Sequence, residues 1–539
     1  MDSQFIIDRA RQQSLGDLPR RSALRFPNKE AIIDGAVRLT FSEFNERVDR
    51  MAAALVAADM KKGDTLALLS HNCWQFPVIV FATARLGIIL VPINFMLGAS
   101  EISYILDHSE SDAFVVEDLL LPVADEALRA TSGRIRIQAV IHLGDADVPD
   151  NWSDVETWLN HELTPLPDVT IEDDDPVRLM YTSGTESRPK GAIISSRSLL
   201  WQYASCIVAG DMRASDIEVH SMPLYHCGQL DTFLIPDIYL GATSILLRSP
   251  DPTKILETIE TEKVTKLFCP PTVWISLVRA TKFGSTDLES LLKGYYGASS
   301  MPVEILNEMT RKMPRLRLWN FYGQTETSST VTALQPEDQA EFGGSAGFPV
   351  LNVETRIVDS RGDPVPAGEV GEIAHRSPHA MLGYFRDAER TAQAFHNGWF
   401  HSGDLGYFGE GGRLYVVDRK KDMIKTGGEN VASREVEEVL YEHPGVEEAA
   451  VFGVDHPRWV EAVVAAVVPR EGVELDAAEI ISHCRSKLAG FKTPKFVVIV
   501  SALPKNPSGK ILKRELRKSF NRIGKTEGQG PIWTDVGAG

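Results

Sequence analysis

Apolar and polar positions follow two rhythms along this chain, and each rhythm predicts an element. In FSEFNERVDRMAAALVAADM (residues 41–60) apolar side chains return every three or four positions, the spacing of one helical face, whereas TLALLS (65–70), AFVVE (113–117) and TSILL (243–247) are short apolar runs of strand length. The apolar stretch FPVIVFATARLGIILVPINFML from Phe76 is interrupted by Arg85, Gly87 and Pro92, so it reads as a buried helix followed by a buried strand rather than a membrane span. Helices alternating with such strands predict an α/β fold, a large N-terminal domain of layered, mostly parallel sheets with helices. The acidic EDDDP (172–176) reads as a solvated loop feeding the strand VRLMYTS (177–183).

The rhythm changes after about Lys420. SREVEEVLYEHPGVEEAAVFGV (433–454) is a helix, a Pro-Gly turn and a strand, and EAVVAAVVP (461–469) and KFVVIV (495–500) add strands around another helix. This predicts a small α+β C-terminal domain. Consecutive charges beginning at Asp418 mark an exposed connection, which gives domains of 1–417 and 422–539 joined at 418–421.

Composition narrows the function classes. A chain of 539 residues exceeds what one core organises and has ample material for a large enzyme. Acidic residues outnumber basic ones 74 to 56 and no Lys/Arg-rich tract is present, so a nucleic-acid partner is not expected. The five cysteines are far apart and unpaired in spacing, which fits reduced thiols and not a disulfide framework or zinc site. The start, MDSQFIIDRARQQ, has no apolar stretch with a cleavage site, so a cytoplasmic protein without integral membrane association is expected, its oligomeric state left open.

Four strings carry candidate chemistry. YTSGTESRPKG (181–191) leaves an apolar strand and offers the hydroxyls of Thr182, Ser183 and Thr185, the flexibility of Gly184 and the cation Lys190, groups that suit phosphate oxygens. It is not a Walker loop, because Pro189 precedes Lys190 and Gly191 follows it. NFYGQTET (320–327) combines an aromatic face, a hydroxyl and a carboxylate, suited to stacking a base on Tyr322, touching a phosphate with Thr325 and holding Mg²⁺ with Glu326. The competing reading makes Tyr322 a core aromatic and Glu326 a surface acid. In GWFHSGDLG, Asp404 can accept both hydroxyls of a ribose, and NPSGK presents Lys510 on a small turn.

In this order and at these separations, with GGEN after the domain break, the strings resemble the adenylate-forming superfamily of acyl-CoA synthetases, aryl-CoA ligases, peptide-synthetase adenylation domains and firefly-type luciferases. The resemblance covers nearly the whole chain and implies ATP, Mg²⁺ and coenzyme A as cofactors and a carboxylic acid as substrate. It implies that Gly297, Ala298 and Ser299 of YYGASS line the purine with Asn320, Phe321, Tyr322 and Gly323, and that Asp404 and Arg419 bind the ribose. Thr182, Ser183, Gly184, Thr185 and Lys190 match the loop over the β- and γ-phosphates, and Thr325 and Glu326 match the α-phosphate and Mg²⁺ contacts. Lys510 matches the lysine that bridges carboxylate and phosphate, Lys421 the hinge of a mobile C-terminal domain, and Gly427 and Gly428 the loop on the coenzyme A side. His226 of PLYHCGQLD (223–231) matches the residue beside the reacting carboxylate; a packed structural histidine competes with that reading, and no third ligand is spaced for a metal with Cys227.

The expectation is therefore an acyl-CoA ligase for an apolar, fatty acid. A chain that makes the thioester only from preformed acyl-adenylate, a luciferase-type oxidoreductase and a silent adenylate binder remain alternatives. Two departures matter. Phe321 stands where many relatives carry Gly, which narrows or redirects the acyl tunnel. Glu186 and Ser187 stand where relatives commonly have Thr-Gly; this carboxylate either repels the nucleotide and weakens adenylation or points outward to pair with Arg188.

Overall fold

The computed structural model describes residues 7, 10–133, 135–144, 148–182, 189–299, 301–521, 523, 533 and 534. The first predicted helix spans Phe41–Ala57 and begins where a capping box allows it: the Thr40 hydroxyl accepts the Glu43 amide at 3.2 Å while the Glu43 carboxylate accepts the Thr40 amide at 2.8 Å. Its periodic residues Phe44, Val48, Met51 and Leu55 are buried. The long apolar stretch is a helix, Gln75–Leu86, ended by Gly87 at φ +70°, and a strand, Ile89–Ile93. Arg85 at the end of this buried helix is reconciled with its surroundings by Asp49 and by the Gly16 carbonyl at 2.9 Å. Among the described residues no helix is long and apolar enough to cross a membrane.

Two large sheets have parallel centres. In one, Thr65–Leu69, Ile89–Ile93, Ala113–Glu117, Ile137–Ile141 and Pro176–Thr182 run parallel, and the antiparallel strands Lys190–Ser195 and Gly383–Tyr384 extend one edge. In the other, Lys266–Phe268, Lys293–Gly297 and Arg317–Tyr322 are parallel neighbours. The carboxyl ends of these strands carry Thr182, Gly297 and Tyr322, the end at which open α/β sheets bind ligands.

Beyond Glu354 the strands leave this parallel pattern. Strands Glu354–Val358, Gly371–Arg376, Phe395–His396, Trp399–Phe408 and Leu414–Arg419 form a wholly antiparallel sheet. Connection length accounts for two of these pairings, since His396 to Trp399 and Phe408 to Leu414 are short turns, and parallel pairing needs a crossover of a dozen residues or more. The C-terminal sheet, built from Ile424 onward, is mixed: Val446–His456 pairs antiparallel with Val460–Pro469, which pairs parallel with Phe496–Ile499. Its two faces bury separate clusters, one with Val451, Val463 and Val497 and the other with Phe452, Val464 and Val498.

Candidate active site

Two neighbouring cavities, of about 410 and 580 Å³, share Ala298, Phe321, Gly323, Asp404, Arg419 and Lys510 in their walls. Backbone crowding explains the glycines here: a Cβ on Gly297 would lie 2.4 Å from the Phe321 carbonyl oxygen, and one on Gly323 would lie 1.8 Å from that of Ser329. Ala298 takes a left-handed φ of +64°, and Asn320 donates to the Ser345 carbonyl at 3.0 Å; with Ser299 and Tyr322 they line the smaller cavity.

Tyr322 and Asp404, 82 positions apart, are joined by a hydrogen bond of 2.7 Å from the phenol to the carboxylate. The other Asp404 oxygen faces Arg419 at 3.4 Å, across two antiparallel strands that pair Asp404 directly with Arg419. Burial and the Asp404 charge push the Tyr322 phenol well above its ordinary pKa, so it stays a donor. Along the same strand, Phe321 turns its ring to the opposite side. The ring lies parallel to Phe233 at 6.0 Å between centroids, and Phe233 in turn stacks on Phe268 at 4.5 Å. Phe233, Phe268 and Phe321 all line the larger cavity.

The larger cavity also holds the candidate phosphate and metal groups. The Lys190 ammonium lies 3.1 Å from Glu326 Oε1 and donates to the Tyr384 hydroxyl, which itself donates to Glu326 Oε1 at 2.8 Å. Burial favours the protonated form of Glu326, but Lys190 and Tyr384 outweigh it and hold the carboxyl below its ordinary range, so Glu326 is an anion. Thr325 faces the Cys227 sulfur at 3.4 Å, and the buried Thr182 hydroxyl has no partner among the described residues. An anionic carboxylate and a spare hydroxyl on one cavity wall fit a hydrated Mg²⁺ carried by phosphates. Ser183, Gly184, Thr185, Glu186 and Ser187 lie outside the described residues.

Lys510 reaches both cavities from the C-terminal domain. Its turn is closed by Asn506, whose side chain accepts the Lys510 amide at 2.8 Å and whose amide donates to the Lys510 carbonyl at 2.9 Å. Gly509, at φ +77°, lets the turn press on the N-terminal domain: Thr272 donates to its carbonyl at 3.0 Å, and a Cβ would lie 2.6 Å from that hydroxyl. The Arg419 charge and then burial lower Lys510 to about 7, although Asp404 and Asp422 act in the other direction. Burial, with the Lys510 charge, lowers His226 to about 4, and His226 Nδ1 accepts the Gly228 amide at 3.0 Å. A neutral His226 with its proton on Nε2 follows.

The connecting segment is more restricted than 418–421 implied. Asp418 and Arg419 belong to the strand Leu414–Arg419, so the free turn starts at Lys420. Lys421 lines both cavities, and burial with the Arg419 charge lowers its pKa. Gly427 and Gly428, at φ +61° and +90°, close the hairpin between Ile424–Thr426 and Glu429–Val431, and nothing lies within 4 Å of a Cβ placed on either. They are exposed and form no wall of either cavity.

Sequence reasoning missed Tyr384, since GYF in MLGYFRD carries no phosphate-binding signal; only the pairing of its strand with that of Lys190 reveals it. A buried trio, Glu218, His220 and Asp237, has metal-like spacing, but the Lys266 ammonium already bonds Glu218 at 2.8 Å and Asp237 at 2.5 Å. That centre is a filled ion-pair network.

Known proteins resemble this chain over nearly its whole length. The family model described as AMP-binding enzyme matches residues 19–385, and that described as AMP-binding enzyme C-terminal domain matches 435–510. A feruloyl-CoA synthase of Amycolatopsis sp is 37% identical over 95% of this chain and 100% of its own length. A long-chain-fatty-acid–CoA ligase of Mycobacterium tuberculosis is 32% identical over 94% of this chain and 99% of its own. The crystal structure of an anthranilate CoA ligase with anthranoyl-AMP superposes with a TM-score of 0.89 at 26% identity, covering 95% of this chain and 98% of that one.

Proposed function

The chain belongs to the AMP-binding enzyme family as an AMP-forming acyl-CoA synthetase that uses ATP, Mg²⁺ and coenzyme A, and from that premise we propose how its own residues divide the two half-reactions. The observation that carries the reading is the convergence of Lys510 on the cavity walls that also hold Asp404, Arg419, Glu326 and His226. In the first step a carboxylate oxygen of the acid forms a bond to the α-phosphorus of ATP and the bond to pyrophosphate breaks, giving acyl-adenylate. Both reactants are anionic, so the ammonium of Lys510 between them stabilises charge that is closest in the transition state. Tyr322, Gly297, Ala298, Ser299, Asn320 and Gly323 hold the purine, Asp404 and Arg419 the ribose, and Thr325 the α-phosphate. Thr182, Ser183, Gly184, Thr185 and Lys190 hold the outer phosphates. Glu326 would hold Mg²⁺, which neutralises phosphate charge when bound. Neutral His226 orients the carboxylate.

In the second step the coenzyme A sulfur forms the thioester bond, AMP leaves, and the thiol proton passes to solvent. Lys510 must withdraw first. Rotation at Lys421 exchanges the Lys510 turn for the exposed Gly427 and Gly428 hairpin, whose missing side chains leave room for the thiol arm.

For the acid, the parallel faces of Phe233, Phe268 and Phe321 support a compact, flat apolar substrate such as an aryl or arylalkenyl acid, the class named by the feruloyl and anthranilate relatives. The fatty acid is the second reading, favoured by the relative that acts on long chains. Pyrophosphate release and thioester formation, measured over a panel of aryl, arylalkenyl and C6–C18 fatty acids, test both. Turnover confined to fatty acids above C12 would sink the aryl reading, and no pyrophosphate release with any acid would sink the two-step assignment.

A further inference from the structure

The structure points to Tyr384 as a positioning residue for the first half-reaction: we propose that its hydroxyl fixes Lys190 and Glu326 in register, so that ATP and its metal meet both groups already placed. The inference rests on the roles proposed for Lys190 and Glu326. A phenol hydroxyl has one proton and two lone pairs. Here the proton goes to Glu326 Oε1 at 2.8 Å and a lone pair takes an N–H of Lys190, whose ammonium also lies 4.0 Å from the ring centroid. One hydroxyl therefore satisfies an anion and a cation at once; Lys190 also faces Glu326 Oε1 at 3.1 Å, so Glu326 Oε2 and one Lys190 proton are left for a ligand.

The segment around Tyr384 is braced without any ligand. Phe385 donates its amide to the Gly191 carbonyl at 2.8 Å and Leu382 donates to that of Ile193 at 2.9 Å, which ties the segment to the strand that begins at Lys190. Met381 donates to the Glu326 carbonyl at 2.8 Å, which ties the same segment to the other partner. Thr391 accepts the Tyr384 amide at 2.9 Å, and its methyl lies 2.9 Å from where a Cβ on Gly383 would stand. Gly383 is held at φ +148°, outside what a side chain tolerates well, so the turn that aims Tyr384 is built for glycine.

A core tyrosine that only fills space would act through its ring. Tyr384→Phe keeps the ring and its contact with Lys190 and removes the hydroxyl alone. A hydrogen bond to a charged group is worth about 1.5–3 kcal/mol, which corresponds to about tenfold or more in affinity. In the full-length variant the dissociation constant of Mn·ATP, read from the free-Mn²⁺ electron paramagnetic resonance signal, is expected to rise about tenfold, and that of metal-free ATP in EDTA, which meets Lys190 but brings no metal to Glu326, by distinctly less. Thioester formation from supplied acyl-adenylate, which involves neither metal nor outer phosphates, stays unchanged. Glu326→Gln, measured alongside, separates the two layers of the argument. Weak Mn·ATP binding in Glu326→Gln with normal binding in Tyr384→Phe overturns the proposal alone; normal binding in Glu326→Gln overturns the metal assignment beneath it. An equal loss of metal-bound and metal-free ATP in Tyr384→Phe also overturns it, because the tyrosine would then support the whole nucleotide site. Should Tyr384→Phe lose its fold, Thr391→Val frees the Tyr384 amide with little change of shape. A two- to threefold weakening confined to Mn·ATP is expected there, and none would count against the proposal.

Discussion

Two of the glycine turns with positive φ in the C-terminal domain could hardly be placed more differently. The Asn506 to Lys510 turn is wedged against Thr272 and delivers a buried ammonium among Arg419, Asp404 and Lys421. The Gly427 and Gly428 turn is a two-residue hairpin in solvent with empty space around both α-carbons. In the first, glycine permits close approach to another domain. In the second it permits an approach that this arrangement does not make. On the roles proposed for them, the turn assigned to adenylation is seated in its site and the hairpin assigned to thioester formation is not.

Assembly has an electrostatic cost, since the Arg419 guanidinium and burial lower Lys510 to about 7. It also has a fastening. Ser433, at the start of the helix Ser433–Tyr441, donates its amide and its hydroxyl to Asp418 at 2.7 Å each, and Lys513 donates to the same hydroxyl at 2.6 Å. Asp418 precedes Lys421 and the other two residues follow it, so the rotation proposed at Lys421 would part them.

The strongest way to break the contrast is Lys510→Ala. Loss of one preorganised cation is expected to slow pyrophosphate exchange by a hundred- to a thousandfold, about 3–4 kcal/mol, and to spare thioester formation from supplied acyl-adenylate. Equal damage to both steps would remove the lysine from its proposed role.

A pH experiment sharpens it. Below about pH 7 Lys510 is protonated before ATP arrives; above that value it is neutral, and anionic ATP must draw a proton onto it. Binding that takes up a proton weakens as pH rises, so ATP affinity should fall by up to about tenfold per unit above pH 7 until the pKa of the complex is reached. Calorimetry at pH 8 in buffers of different ionisation enthalpy should register an uptake approaching one proton, absent in Lys510→Ala. No uptake in the wild type would show that the buried ammonium keeps its proton.

Lys421→Pro restricts the backbone on which the proposed exchange of turns would depend. Thioester formation should slow about tenfold while pyrophosphate exchange changes little. Normal transfer to coenzyme A would move the pivot elsewhere. The smallest effect is expected from Ser433→Ala, which removes one of the two bonds to Asp418 and should lower pyrophosphate exchange about fivefold relative to thioester formation. An unchanged ratio would make the fastening incidental.

Much of this site is legible in the amino-acid order alone. The strings that carry Lys190, Glu326, Asp404 and Lys510 stand out because phosphate, ribose and charge neutralisation each require particular residue types at short spacing. The helix 41–57 and the buried pair of elements after Phe76 stand out because periodicity and capping are local. The antiparallel sheet between Glu354 and Arg419 does not, since two of its pairings, Glu354–Val358 with Gly371–Arg376 and Gly371–Arg376 with Trp399–Phe408, join segments well separated along the chain, which no local rhythm records.

The sequence by itself determined the inventory: which groups are available, in what order, and on helices, strands or turns. Tertiary structure decided which of them share a charge or a proton. Tyr322 meets Asp404 across 82 positions, and Lys190 meets Tyr384 across 194, distances over which no local pattern survives. It also decided that Phe321 turns away from its neighbour Tyr322, because alternate residues of one strand face opposite sides, and which side holds the nucleotide is fixed only when the sheets pack. The lowered pKa of Lys510 belongs wholly to that second level, because burial and the nearness of Arg419 exist only once the two domains have met.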